Sequence, residues 1–191
     1  MPKTINNLAL AFAGESQARN RYAYYAKIAK KEGYEQIASI FLKTAEQEKV
    51  HAKRLFEHIQ ELKAEDVNEL SIGTNVPTNY GSTIDNLKAA IAGENHEHSS
   101  MYPEFAKEAS EEGLTKIATR LKSIAIAEEH HEERFKKLLN ELESDSLHKK
   151  REETTWICRE CGYMHNGTDA PEKCPACDHP RAYYQVQNEL Y

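Results

Sequence analysis

Apolar positions between residue 4 and about residue 148 recur at helical steps. In Ile117, Leu121, Ile124, Glu128, His131, Phe135, Leu138 and Leu142 the steps alternate between four and three, the spacing of a core-facing helical seam. Ile37, Phe41, Thr44, Glu48, His51, Leu55 and Leu62 form a second seam. Leu8, Ala11, Glu15, Ala18, Tyr22 and Tyr25 form a third, and Leu87, Ala90, Glu94, Glu97, Tyr102 and Phe105 a fourth. Ala, Glu, Lys and Leu dominate the stretch, and all favour helix. Gly33 and Gly113 each end a polar run and are followed at once by new periodicity, which predicts tight helix–helix turns. Residues 64–82, with Gly73, Pro77 and Gly81, read as a long connection that ends in a capping box at Ser82–Asp85. Short, long and short connections predict a mainly α four-helix bundle with one long crossover, its second and third helices running in the same direction.

The two halves repeat. Ala11-Phe12-Ala13-Gly14-Glu15 returns as Ala90-Ile91-Ala92-Gly93-Glu94 at an offset of 79, whereas Glu48-x-x-His51 returns as Glu128-x-x-His131 at an offset of 80. Tyr22 and Tyr102 also match at 80. One residue has therefore been gained between Glu94 and Tyr102, which predicts a π-bulge in the third helix. At the offset of 79, Glu97 matches Ala18, so only one half carries this extra carboxylate.

The seams aim Glu15, Glu48, His51, Glu94, Glu97, Glu128 and His131 at the centre of one bundle. Five buried carboxylates without cations would be untenable. A Glu from each of two helices, with Glu-x-x-His from each of the other two, is a donor set for two metal ions, and oxygen with imidazole suits iron or manganese. Tyr22 and Tyr102 occupy matching positions beside these donors, where ordinary core aromatics would also fit. Glu129, His130, His96 and His98 fall off the seam and read as surface residues; His58 reads as a histidine near the bundle end.

After residue 148 the pattern changes. Residues 149–155 read as a charged linker between a bundle domain, 1–148, and a small module, 156–191. The module holds all four cysteines, Cys158-x-x-Cys161 and Cys174-x-x-Cys177. That spacing predicts a tetrahedral four-thiolate metal site, for iron or zinc, and not a disulfide framework. The net charge of −6 argues against nucleic acid as a partner. There is no apolar run near the ~20 residues of a membrane span, and the first residues lack a signal peptide's apolar core. A soluble cytoplasmic protein is expected. No glycine motif for a dinucleotide is present, so a nucleotide-linked reductase would be a separate protein.

With both constellations in hand, the chain resembles rubrerythrin. The resemblance rests on Ala13-Gly14-Glu15-Ser16-Gln17-Ala18-Arg19-Asn20-Arg21-Tyr22, Glu48-x-x-His51, Gly93-Glu94-x-x-Glu97, Met101-Tyr102-Pro103, Glu128-x-x-His131, and Cys158-x-x-Cys161-Gly162-Tyr163 with Cys174-Pro175-Ala176-Cys177. It implies a ferritin-like di-iron bundle with a C-terminal rubredoxin-like domain. The implied activity is that of a non-haem peroxidase reducing hydrogen peroxide to water in oxidative-stress defence. Electrons would come from a reductase or rubredoxin through the four-cysteine iron, with zinc as a possible substitute there. The resemblance also implies a homodimer, with the cysteine domain of one subunit near the di-iron site of the other. One iron would move between Glu97 when oxidised and His51 when reduced, and Tyr22 and Tyr102 would have a hydrogen-bonding or radical-buffering role. Iron storage, or a zinc-bearing regulatory module, are the competing readings; the colour of ferric iron held by four thiolates would separate the last of these.

Overall fold

The computed structural model describes residues 2–188. Four helical rods form the bundle: α1 (Lys3–Lys31), α2 (Glu35–Leu62), a composite third rod, and α5 (Thr115–Glu143). The third rod consists of α3 (Thr83–His96), a π-helical turn (Glu97–Met101) and α4 (Tyr102–Glu111). The α1–α2 and α4–α5 turns share one construction. Gly33 and Gly113 take φ of 83° and 77°, a left-handed conformation that costs glycine little. The next residue then donates back across the turn, Tyr34 to the Ala29 carbonyl and Leu114 to the Ala109 carbonyl, each at 2.8 Å. This is the Schellman closure of a helix end.

The crossover runs from residue 63 to 82 and returns the chain to the start of α2. There Ser82 and Asp85 form a reciprocal capping box, and the Thr83 N–H donates to Glu32 beside the α2 N-terminus at 3.0 Å. The Tyr25 hydroxyl holds the crossover by donating to the Asn79 carbonyl at 2.9 Å. Helices α2 and α3 therefore start at the same end of the bundle and run parallel, as the loop lengths predict.

The π turn lies where the repeat offset changes. The Tyr102 N–H bonds to the Glu97 carbonyl, five residues back. Pro103 follows immediately. It has no N–H to offer, and its ring would press on a carbonyl four residues earlier in a regular helix. A locally widened helix relieves both problems.

Two apolar plugs fill the bundle. One holds Tyr22, Tyr25, Phe41, Phe135 and Leu138, with ring centroids of Tyr22, Phe41 and Phe135 5.1–5.9 Å apart. The other holds Ile5, Leu8, Leu55, Tyr102, Ile117, Leu121 and Ile124. At roughly 1.5–3 kcal/mol for each large side chain buried, these plugs stabilise the polar layer held between them.

The C-terminal module is a three-stranded antiparallel sheet in the order β2-β1-β3, with β1 Lys149–Cys158, β2 Met164–Asp169 and β3 Tyr184–Val186. Residues 149–155, expected as a linker, are thus the first part of β1. Their charged side chains are exposed or half-buried, and pairing with β2 extends the strand back to Lys149 through an irregularity between Lys149 and Thr154. Trp156 anchors the module's core and donates from Nε1 to the Gly167 carbonyl at 3.0 Å. The module packs at the bundle end where α2 begins, leaving a crevice lined by Tyr34, Leu142, Leu147, His148 and Arg181. Among the described residues no helix is long and apolar enough to cross a membrane.

Candidate metal centres

Glu15, Glu48, Glu94, Glu128 and His131 are buried between the apolar plugs, with His51 half-buried beside them. Their donor atoms form two overlapping groups, Glu15, Glu48, His51 and Glu128, and Glu48, Glu94, Glu128 and His131. In each group the atoms lie within 4.8 Å of one another. Glu48 and Glu128 belong to both and divide their oxygens between them. His51 Nδ1 lies 3.1 Å from Glu48 Oε2 and 2.8 Å from Glu128 Oε1. His131 Nδ1 lies 3.1 Å from Glu48 Oε1 and 2.8 Å from Glu128 Oε2. Glu15 Oε2 completes the first group at 3.8 Å from His51, and Glu94 Oε2 the second at 3.6 Å from His131.

Apart from His51 Nδ1 with Glu48 Oε2, these approaches are not hydrogen bonds. Glu15 Oε2, Glu48 Oε1, Glu94 Oε2, both Glu128 oxygens and His131 Nδ1 are buried with no hydrogen-bond partner. Orphaned buried polar atoms are rare and costly, and six in one layer point their lone pairs at shared centres. The donor set fits two cations bridged by two carboxylates, with oxygen and nitrogen donors suited to iron or manganese.

The titration behaviour shows the same shortage of positive charge. Burial, then the Glu128 charge, pushes the Glu15 carboxyl well above its usual range. Burial pushes Glu94 up to about 8. Burial also works against the Glu48 carboxylate, but His131 and His51 outweigh it and hold Glu48 down at about 2. Burial opposes the His131 imidazolium, yet Glu128, Glu48 and Glu94 carry it up to about 11; the same balance raises His51. Protons thus stand in for metal charge, and metal binding would displace them.

Two phenols support the outer carboxylates. The Tyr22 hydroxyl donates to Glu94 Oε1 at 2.5 Å, and the Tyr102 hydroxyl donates to Glu15 Oε1. Each leaves the other carboxylate oxygen facing the centre.

Six of the seven donors singled out in the sequence come together in this way. Glu97 does not join either group. It stands at the start of the π turn, its carboxyl pushed up by burial and then by the neighbouring Glu15 charge. His98, read as a surface residue, is half-buried and hydrogen-bonds through Nε2 to Glu132 at 3.0 Å. Glu132 is itself buried, an acidic position that a Glu-rich helix does not distinguish from its neighbours. His96, Glu129 and His130 are exposed as expected, and His58 is buried near the end of α2 beside Glu61.

In the small module, Cys158 Sγ lies 3.7 Å from Cys177 Sγ and Cys161 Sγ 3.6 Å from Cys174 Sγ. A disulfide needs ~2.05 Å, whereas a tetrahedron of ~2.3 Å metal–sulfur bonds has edges of about 3.8 Å. The two halves of the site are alike. Gly162 N–H returns to the Cys158 carbonyl at 2.9 Å, as Asp178 N–H does to the Cys174 carbonyl. Both returning residues have positive φ, 77° and 63°. Cys158 and Cys174 are buried and Cys161 is exposed, so one edge of the four-thiolate site faces solvent.

Comparison with known proteins agrees with this pair of centres. Residues 6–139 match the rubrerythrin family, and residues 156–185 match the rubrerythrin rubredoxin-like domain. The chain is 55% identical to a putative rubrerythrin of Methanocaldococcus jannaschii, covering 100% of this chain and 96% of that one. It is 47% identical to a rubrerythrin of Nitratidesulfovibrio vulgaris, covering 96% and 94%. A solved structure of nigerythrin in a partially reduced state superposes with a TM-score of 0.66 at 34% identity, covering 98% of this chain and 88% of that one. The chain belongs to the rubrerythrin family.

Proposed function

We propose that this protein is a non-haem di-iron peroxidase that reduces hydrogen peroxide to water, with electrons relayed through an iron held by Cys158, Cys161, Cys174 and Cys177. The observation that carries the reading is the pair of donor groups sharing Glu48 and Glu128, in one chain with a four-thiolate site. Balanced, the reaction takes one peroxide, two electrons and two protons to two waters. When bound, the two irons supply the two electrons for O–O cleavage.

The chain's own residues do the rest. Glu48 and Glu128 offer one oxygen to each position, so the spacing of the pair is fixed by two side chains on opposed helices. Tyr22 and Tyr102 hold the outer oxygens of Glu94 and Glu15 and keep a proton within reach of them. The apolar plugs exclude water from both ends of the layer. His51 stands inside its donor group while Glu97 stands outside, an arrangement that corresponds to the histidine-bound end of the exchange the family resemblance implies.

The position of the cysteine module supports a homodimer. The module meets the bundle near Tyr34, whereas the di-metal layer lies at Glu48 on the same helix. That separation is about 21 Å along the axis at 1.5 Å per residue. Electron tunnelling weakens exponentially with distance, which favours a route to the di-iron site of a second copy. The reductant of the four-cysteine iron would be an NADH-dependent reductase or a rubredoxin. A thiolate site of this kind suits a reducing cytoplasm, and the reading is one of oxidative-stress defence.

The test is to mix anaerobically reduced, iron-loaded protein with one equivalent of hydrogen peroxide and to follow the visible spectrum. Rapid two-electron oxidation, followed by appearance of the red ferric-thiolate colour, is expected. Oxidation no faster than that of free ferrous iron, or a colourless zinc-filled cysteine site, would overturn the proposal.

A further inference from the structure

The two halves of the metal layer are near-copies, but one cation breaks the match. At an offset of 80, Arg54 on α2 corresponds to Arg134 on α5, each three residues after a histidine of the layer. Arg54 lies outside the bundle, half exposed, and pairs with Glu57 at 2.7 Å. Arg134 turns inward. It is half-buried and donates from Nη2 to Thr44 Oγ1 at 2.5 Å and to Gln47 Oε1 at 3.3 Å. The counterparts of Thr44 and Gln47 in the other half are Ile124 and Ala127. Neither has a side-chain acceptor, so Arg54 finds no equivalent seat. The asymmetry is built into four residues and is independent of Glu97.

What Arg134 faces gives the seat its meaning. Thr44 is fully buried one turn before Glu48, and its own proton goes to the Ile40 carbonyl at 2.9 Å, leaving a lone pair for the guanidinium. Arg134 Nε is buried with no partner, and the guanidinium forms no ion pair among the described residues. A half-buried, unpaired cation is costly. Burial disfavours its charge and pulls the guanidinium below its usual range, and the charges of Glu94 and then Glu48 offset part of that. Glu48 is shared by both groups, but Glu94 belongs only to the group built on His131, and Arg134 itself follows His131 by one turn on α5. Among the described residues, the groups that act most on Glu15 and His51 include no lysine or arginine.

We infer that Arg134 is an outer charge that stabilises the reduced state of the metal at the Glu94–His131 position, making it the more readily reduced of the two. A fixed positive charge disfavours the added charge of a ferric ion, and in a half-buried site that effect is only partly screened by salt. This rests on the di-metal reading above and extends it by assigning unequal potentials to the two positions.

The experiment is a redox titration of the iron-loaded full chain, following the di-iron and four-cysteine signals separately. In Arg134→Gln the ferric-to-ferrous ratio at a fixed potential should rise on the order of tenfold at the di-iron site, a fall of about 59 mV for a one-electron step. The four-cysteine midpoint should not move. Arg134→Lys should stay close to the parent. Thr44→Val, which removes the acceptor that aims the guanidinium, should shift in the same direction by less. An unchanged di-iron midpoint in Arg134→Gln, even with lowered thermal stability, would reduce Arg134 to a strut between α5 and α2 and overturn the inference. A parent protein with no redox-active di-metal signal would instead overturn the functional reading.

Discussion

Tyr102, on the third rod of the bundle, donates its hydroxyl proton to Glu15 on the first, and Tyr22 on the first donates to Glu94 on the third. The two phenols are thus crossed between the halves, each bracing the outer carboxylate of the other. Burial, and then the charge of the carboxylate each one braces, raises both phenols well above the usual range, so both remain donors at neutral pH. Tyr102→Phe leaves Glu15 Oε1 without its partner. Metal affinity at the His51 position should fall about 10–100-fold, the usual cost of losing an outer-shell partner, with the His131 position little changed. Tyr22→Phe should do the reverse. A two-site Co(II) titration reads both, and equal weakening of the two positions in each variant would contradict the crossed arrangement.

Much of this site is written in periodicity. Glu48 and His51, like Glu128 and His131, occupy positions that an apolar seam would otherwise fill, so their convergence follows from helix geometry alone. The π turn could be read from the change of offset between Glu15/Glu94 and Tyr22/Tyr102. What periodicity could not reach depends on neighbours distant in sequence. Residues 149–155 are charged and look like a tether, yet β2 and β3 supply ladder partners that make β1 of them. Arg134 and Glu132 are ordinary members of a Lys- and Glu-rich helix until Thr44 and His98 are seen beside them. Glu97 lies on the seam, but the widened turn that begins with it leaves its carboxylate outside both donor groups.

Glu128 contributes an oxygen to each group. Glu128→Ala should therefore empty both positions together rather than one. Metal analysis should fall towards the single thiolate-bound ion per chain, and peroxide turnover should drop by at least about a hundredfold. The red absorbance of the four-cysteine iron should persist. A variant that kept full activity would sink the bridging role.

Removing the metals should make stability depend on pH in a definite direction. Glu94 rises to about 8 in the folded protein, so the native state binds its proton more tightly than the unfolded chain does. That contribution is complete below the ordinary carboxylate range and is lost as pH rises through about 8. His131, raised to about 11, adds stability that is full below the ordinary histidine value and fades at higher pH. The metal-free bundle should therefore melt at a lower temperature at pH 8 than at pH 5.5, and metal loading should remove most of the difference. Calorimetry of chelated and loaded protein at both pH values checks this; a metal-free protein more stable at pH 8 would contradict it.

Cys174→Ser separates electron supply from peroxide chemistry. The thiolate-bound iron should be lost or strongly altered, with its red absorbance. The iron-loaded donor layer, built from the bundle helices, should still be oxidised by one equivalent of peroxide in a single turnover. Sustained turnover with an external donor should fall to background. Sustained turnover at the parent rate would show that electrons bypass the cysteine module.

The π turn provides the sharpest test of whether a local departure from α-helical geometry serves the site. A variant lacking Ser99 would keep the Tyr102-to-Glu97 hydrogen bond but convert it to the four-residue spacing of an α-helix. Glu94 and Tyr102 would keep their relative placement, so both donor groups should still bind metal. Pro103 opposes the change, because in a regular helix its ring meets the carbonyl four residues back, at a cost of about 3 kcal/mol. The deletion should therefore stabilise the bundle only when combined with Pro103→Ala, the residue type found at the matching position Ala23. In that double variant Glu97 sits in a regular helix, without the widened turn that would let its carboxylate approach and leave the His51 position. The expected outcome is a higher melting temperature, an intact metal content and slower peroxide turnover, a trade of activity for stability at this turn. Thermal melts, metal analysis and turnover on the same preparations decide it: a double variant as fast as the parent would mean that the extra residue merely accommodates Pro103.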